Sequence, residues 1–430
     1  MIKLSSQEKE ILSNDKNDLK RKMLESIIHF GDFYDAKELV NITGNGHVVL
    51  GFGNNGFEVA MNILDEIINK GFKTKYPFTV STWPYVFSSS KEKWFGLFWR
   101  KTSAVKKQAF LEKRLEEIGL NIENHFMDAI SLGKKNSLTY GDVLCWSDSM
   151  LVTFANSVFG AKVNCAGPLI DLFCNILGKV PYYGLLTPEG RMAQVIIKVD
   201  VNTLPDAGLL GVAVAHKSAE RIPYIYGLEK LLKAKYDEKT LAFLKDFAAG
   251  FSSEGNLKIF HINGITPEAK KLKKNLIAAF SSVESIDMLE IEKVKENLEI
   301  PWKNLDAKPN YCFLGQPDLS LYQLVNWTNE IGWELKQNKR KRLKIKTIFL
   351  TNNHVLEQFK KLPECSELKS YGGVIKTISP FNNLLTKSKI KTKIITNSNQ
   401  IRQSANVKFC KEEDILSIIT GKRRKGNDWI

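Results

Sequence analysis

Between residues 147 and 191 the chain collects the side chains best suited to hold a small anion. Asn156, Ser157, Lys162 and Asn164 fall within one short polar turn, and Arg191 closes the stretch. Asn and Ser supply neutral hydrogen bonds, Lys a point charge and Arg a planar fork that matches a carboxylate or phosphate. Glycines at 160, 167 and 178 let backbone come close to whatever lies beside them. Two apolar runs with helical period flank the turn, and the second, 169–177, stops at Gly178 as a helix does. Spacing alone equally fits a packed helix pair with small residues at its crossing.

His47 opens a short apolar strand, 47–50, that runs into Gly51-Phe52-Gly53-Asn54-Asn55-Gly56 and a helix over 57–69. A G-x-G-x-x-G between strand and helix is the pattern of a dinucleotide cradle. That cradle needs an acid about 20 residues on, and 72–90 contain no Asp or Glu, so NAD is not expected. A helix start can still hold a phosphate or carboxylate. His47 reads either as a site residue or as a satisfied strand histidine. Thr79 lies in a second strand, 76–80.

The elements that must position these residues alternate between short strands and amphipathic helices, which is the pattern of an α/β protein. Helices are expected over 4–30, 106–118 and 230–250, the last ending at Gly250, and strands over 193–199 and 257–262. Thr266-Pro267 reads as an N-cap and first helical residue. The segment 83–100 is rich in aromatics interleaved with Lys and Arg, a pattern that stacks bases or covers a core.

At 430 residues there is room for two or three domains. No apolar run approaches a membrane span, and no secretory segment opens the chain. Six scattered cysteines, none at C-x-x-C spacing, argue against a disulfide framework and for a reduced, cytoplasmic compartment. The net charge of +15 is concentrated after residue 300, where 24 Lys and Arg face 11 Asp and Glu. The dense runs 336–346 and 422–425 read as a solvated lysine-rich surface, as an electropositive lobe for an anionic partner, or as a nucleic-acid patch.

The core stretch resembles the aconitase X family, in its large-subunit type that includes hydroxyproline and phosphomevalonate dehydratases. The matching residues are Ala155-Asn156-Ser157-Val158, Gly160-Ala161-Lys162, Asn164, Gly167, Gly178, Pro181, Tyr183-Gly184-Leu185 and Arg191. Trp146-Ser147-Asp148-Ser149 precedes them, and Phe260-His261 with Gly264, Thr266-Pro267-Glu268, then Ile394-Ile395-Thr396-Asn397-Ser398 follow. The resemblance implies an aconitase-like α/β fold of several domains with helix-covered parallel or mixed sheets. The expected boundaries are 1–215, 216–305 and a basic 306–422, with a basic tail at 423–430.

It further implies a hydro-lyase that eliminates water from a small hydroxy acid or phosphorylated hydroxy acid. His47, Ser157 and Lys162 are then the catalytic candidates, and Asn156, Asn164, Arg191, Thr79, Ser320, Asn397 and Ser398 would bind substrate. The family holds an iron-sulfur cluster on three cysteines. All three cysteine positions are changed here: the T-C-x-P-Y turn has become the stretch around His125, G-C-P-H has become Gly315-Gln316-Pro317-Asp318, and 371–380 has none. Cys312, Cys365 and Cys165 are the weak candidates for displaced ligands. The resemblance also implies a separate small swivelling subunit and a small anionic substrate, with no membrane and no nucleic acid. The alternative is a binding protein of the same fold that has lost the cluster.

Overall fold

The protein was studied as a computed structural model, which describes residues 2–13, 18–50, 53–82, 103–121, 138–232, 236–298, 308–315, 317–377, 393–399, 401–402 and 406–421. The aromatic stretch 83–100, the region of His125, Gln316, Ser379 and the tail 423–430 lie outside these residues. The chain forms two compact units: 1–194 with 258–261 and 266–281, and 195–257 with 262–265 and 282–430.

In the first unit, β1 (Leu39–Asn41) pairs antiparallel with β4 (Lys179–Pro181), and β2 (Gly46–Leu50) pairs in parallel with β3 (Phe78–Thr82). The helix Gly53–Asn69 joins β2 to β3, as parallel strands require a crossover. Val48, Phe78 and Val80 bury against Leu64, Ile67, Leu111 and Leu115 of two helices, one at Gly53–Asn69 and one at Ser103–Glu117. The expected N-terminal helix is two helices, Ser6–Ser13 and Asp18–Phe33, the second burying Leu19, Met23, Leu24 and Ile27 on one stripe.

A four-stranded sheet has the order β7-β6-β5-β8, from β5 (Ala193–Asp200), β6 (Pro223–Tyr226), β7 (His261–Ile262) and β8 (Ile277–Asp287). The strand expected at 257–262 contracts to the two residues of β7. Alternate residues of β5, at Ala193, Val195, Ile197 and Val199, are buried.

The second unit is built on a five-stranded parallel sheet in the order β11-β10-β9-β12-β13. Its strands are β9 (Tyr311–Leu314), β10 (Lys346–Leu350), β11 (Val374–Lys376), β12 (Ile394–Thr396) and β13 (Val407–Phe409). One face packs Cys312, Leu314, Phe349 and Ile395 on Leu324, Trp327 and Ile331 of the helix Leu321–Gln337. The other face buries Phe313, Ile348, Leu350 and Ile394. The chain steps outward from β9 to β11, returns to β12 on the other side of β9, and continues to β13. The strand order therefore reverses between β9 and β12, and the crevice at their carboxyl ends is where ligands of open α/β sheets bind.

Residues 216–257 fall in the same compact unit as 308–421. Polar bonds tie them: Lys245 Nζ donates to the Asp318 carbonyl and to Gln323 Oε1, and Gln323 Nε2 donates to Asp246 Oδ2 at 2.7 Å. Among the described residues no helix is long and apolar enough to cross a membrane.

Candidate functional site

The core motif sits at a break in helical geometry. The helix Ser149–Phe154 is capped by Asp148, whose carboxylate accepts from Leu151 N at 3.1 Å. It then widens into a π-helical turn, Ala155–Phe159, which ends at Gly160 in the left-handed region. The turn directs Asn156 and Ser157 inward, and both are buried. Asn156 Nδ2 donates to the carbonyls of Val163 and Lys258, and its Oδ1 accepts from Val163 N. Ser157 Oγ accepts from Phe260 N at 2.9 Å.

Arg191 closes on this turn and is only 2% exposed. Its Nε and Nη2 donate to the two carboxylate oxygens of Glu268 at 2.7 and 2.9 Å. Nη1 donates to Asn156 Oδ1 and the Leu185 carbonyl, and Nη2 also to the Asn156 carbonyl. All five guanidinium N–H groups thus have acceptors within the protein. His261 Nε2 donates to the Arg191 carbonyl at 2.9 Å, and burial pushes its imidazole down to about 4, so the ring is neutral at pH 7. Asn156, Ser157 and Arg191 do come together, as a buried knot that fixes the π turn to the segment before β5. With its donors taken, Arg191 holds protein groups in this structure, where a substrate-binding fork was expected.

Asn164 clamps the next turn, donating from Nδ2 to the Tyr183 carbonyl and accepting from Leu185 N at 2.7 Å. His47 and Thr79 are register partners on β2 and β3, and His47 Nδ1 lies 2.8 Å from Thr79 Oγ1. On the other side of β2, His47 N donates to the Cys145 carbonyl, Ser147 N to the His47 carbonyl, and the imidazole meets Trp146 edge-on. Lys162 is half-buried where its backbone bridges to Val143.

Between Asn164 and the helix Pro168–Leu177, the loop turns through Cys165 at φ 63. Asp171 reaches back to accept from Gly167 N at 3.0 Å, and burial pushes its carboxyl up to about 8. The folded protein therefore holds a proton that the unfolded chain releases near pH 4. Stability from this group is present at low pH and falls as pH rises toward about 8, by up to about 1.4 kcal/mol per pH unit. Asp171→Asn keeps an acceptor for the loop and removes the ionisation. The difference in denaturation midpoint between pH 5 and pH 8 is expected to shrink in this variant relative to the parent, and an unchanged difference would contradict the assignment.

In the second unit Ser320 caps the helix Leu321–Gln337: its Oγ accepts from Gln323 N, and Gln323 Oε1 accepts from Ser320 N, a reciprocal pair. Asn397 and Ser398, just after β12, line a cavity of about 260 Å³ at the carboxyl ends of β9 and β12. Asp206, Asp246, Glu330 and Glu412 line it too, and Asn397 Nδ2 donates to Glu412 Oε1 at 2.9 Å.

The six cysteines are all described, all free, and do not suit a cluster held by three thiolates. Cys312, Cys365 and Cys410 sit in the apolar core under the five-stranded sheet, and burial drives the Cys312 thiol well above its usual range. Cys145 and Cys174 are buried against each other, and burial raises Cys145 strongly as well. Cys165 stands in the first unit, with its thiol pushed up to about 12 by burial. Burial at Cys145, Cys165 and Cys312 favours the thiol over the thiolate that a metal needs. Among the described residues no three His, Cys, Asp or Glu side chains group as a metal site.

Glu268 and Asp171 are carboxylates to which sequence reading assigns no role, Glu268 standing there only as part of the matched Thr266-Pro267-Glu268. Glu268 reads as an ordinary acid in the first turn of a Pro-initiated helix, and nothing local announces a partner 77 residues away.

The fold and the buried core motif define a particular class of α/β protein. Residues 1–189 match the aconitase X first domain and residues 193–296 the aconitase X second domain. The chain belongs to the aconitase X family. It is 27% identical over 360 residues to the phosphomevalonate dehydratase large subunit of Thermococcus kodakarensis, covering 82% of each chain. It is 31% identical over 191 residues to the cis-3-hydroxy-L-proline dehydratase of Hypocrea jecorina, covering 43% of this chain and 30% of that one. The crystal structure of Thermococcus kodakaraensis aconitase X in its holo-form superposes with a TM-score of 0.77 at 23% identity, covering 97% of this chain and all of that one.

Proposed function

We propose that this chain is the large subunit of a hydro-lyase that removes water from a small hydroxy acid or phosphorylated hydroxy acid. The observation that carries the reading is the match to both aconitase X domains, with relatives named as dehydratases of phosphomevalonate and of hydroxyproline. The reaction breaks a C–H and the adjacent C–OH bond, forms a C=C bond and releases water. His47, aligned by Thr79, and Ser157 are the proposed proton-handling groups. Lys162 is proposed to hold the anionic group, and a compact ammonium suits that role. Arg191, Asn156 and Asn164 position the turn that carries Ser157 and Lys162. Relatives named large subunits support a separate small subunit. No step is assigned to an iron-sulfur cluster, because the thiols present do not suit one.

A second reading, a metabolite-binding protein of the same fold, is favoured by those same cysteine environments. The chain, purified together with its small subunit, would be incubated with cis-3-hydroxy-L-proline and with phosphomevalonate, and product followed by mass spectrometry. Loss of one water from either, reduced at least tenfold in Lys162→Met with an unchanged melting temperature, is the expected result. Binding of one compound without any loss of water would replace the hydro-lyase with the binding protein.

A further inference from the structure

We infer that the amino-terminal rim of the five-stranded sheet in the second unit is a binding surface for single-stranded nucleic acid. The rim gathers cations from stretches that lie far apart in the sequence. Lys346 and Ile394 both stand opposite Tyr311 in the parallel register, and Asn310 N donates to the Lys393 carbonyl at 2.9 Å. The chain entering β9, β10 and β12 therefore brings Lys308, Lys344, Lys346 and Lys393 to one edge. The helix Leu321–Gln337 runs back from the carboxyl end of β9 to this rim, as a parallel crossover must, and carries Lys336 in its last turn. The loop that follows adds Lys339, Arg340, Lys341 and Arg342, all exposed.

These charges are not spent inside the protein. No Asp or Glu occurs from 335 to 356, and Lys336 and the four cations of the loop make no ion pair with a described residue. The loop packs on the end of the helix Pro363–Ser370, where Leu343 N donates to the Tyr371 carbonyl, and Glu367 there stays unpaired with them. The carboxyl groups of Asp206, Asp246, Glu330 and Glu412 gather at the opposite, carboxyl ends of the strands. The rim is therefore a one-signed field, which draws a polyanion.

A second observation selects among polyanions. Trp333, 58% exposed, stands one turn before Lys336 on the outer side of the same helix. A bare indole beside cations is a platform on which an unpaired base stacks. Arg340 and Arg342 add planar groups that fork to phosphate and stack on rings. A duplex hides its base faces, so the indole favours a single strand. The other exposed residues on that side of the helix are Asn329, Glu330 and Gln337, so it offers no apolar face to enter a bilayer. An acidic protein segment would satisfy the cations and leave the indole without a partner.

The inference does not rest on the hydro-lyase reading, and its test measures binding alone. The full chain would be titrated against a fluorescent oligouridylate of about 20 nucleotides, between about 50 and about 200 mM salt, by anisotropy. Affinity is expected to fall with a log–log slope of about −3 to −4, as for about five neutralised phosphates on a single strand. Arg340→Ala combined with Arg342→Ala is expected to weaken binding at least about tenfold and to flatten the slope by about 1.4. Trp333→Ala is expected to weaken it about tenfold with slope and melting temperature unchanged, and Trp333→Phe to restore most of the loss. Lys273→Ala combined with Lys274→Ala removes the same charge from another exposed stretch and is expected to change nothing. Duplex DNA of the same length, polyglutamate, and vesicles of phosphatidylcholine with phosphatidylserine are each expected to bind more weakly. No binding at the lower salt, full binding by Trp333→Ala or by the arginine pair, an equal loss in the Lys273 and Lys274 pair, or tighter binding of duplex, polyglutamate or vesicles would each overturn the inference.

Discussion

Arg191→Leu is expected to lower stability by about 3–5 kcal/mol, the usual cost of leaving one partner of a buried ion pair behind. Glu268, 9% exposed at its side chain, would remain as a carboxylate without its ion-pair partner and with little access to solvent. Asn156 Oδ1 and the carbonyls of Asn156 and Leu185 would also lose donors. Arg191→Lys should be nearly as harmful, because one ammonium cannot reproduce a five-donor fork. Glu268→Gln should cost less than either, since it keeps the shape and one acceptor. In the double variant Arg191→Leu with Glu268→Leu, part of the loss should return, because no charge is stranded. The measurement is the urea midpoint of the parent, the three single variants and the double. If Arg191→Leu folds with the parent's midpoint, the knot is not structural, and the guanidinium is again available for a substrate.

That outcome bears on what the sequence could reveal. The residues of the core motif were legible as a unit, and their convergence followed from the resemblance. Their division of labour was not, because it depends on Glu268, which approaches from a distant helix. A sequence states that an Arg is present and does not state how many of its donors are already taken. Strand and helix placement fared better where the signal was local. β2 and β5 lie within a residue of their expected ranges, and the helix before Gly178 ends there. Local chemistry misled at two glycines. Gly53 was read as part of a loop and begins a helix, because helical starts tolerate glycine. Gly250 was read as a helix end and lies inside the helix Glu238–Ser253. The cavity was the least legible feature: its described lining comes from five stretches between 204 and 412, and of these residues only Asn397 and Ser398 are candidate site residues by sequence, Gly315 and Pro317 being named only for a changed motif.

The misread Gly250 carries the second large prediction. Glycine inside a helix costs about 1 kcal/mol relative to alanine in isolation, so Gly250→Ala would stabilise a helix that touched nothing. Here the helix Glu238–Ser253 crosses the helix Ala207–Ser218 at backbone contact. A Cβ at Gly250 would stand 2.0 Å from the Gly208 carbonyl oxygen, and one at Gly211 would stand 2.2 Å from that of Phe247. Neither obstacle is a flexible side-chain tip, so a helix must move, and overpacking of this kind typically costs about 1–3 kcal/mol or more. The steric term therefore outweighs propensity, and Gly250→Ala is expected to lower the denaturation midpoint or the soluble yield. Gly211→Ala should do the same. Gly255→Ala is the control: its Cβ would meet only the Glu220 carboxylate tip at 3.1 Å, and its effect should stay within about 0.5 kcal/mol. Because Gly208 and Ala249 also line the cavity, any shift at the crossing should change its shape along with stability. A Gly250→Ala protein at least as stable as the parent would mean that propensity wins, and that the two helices are not in backbone contact.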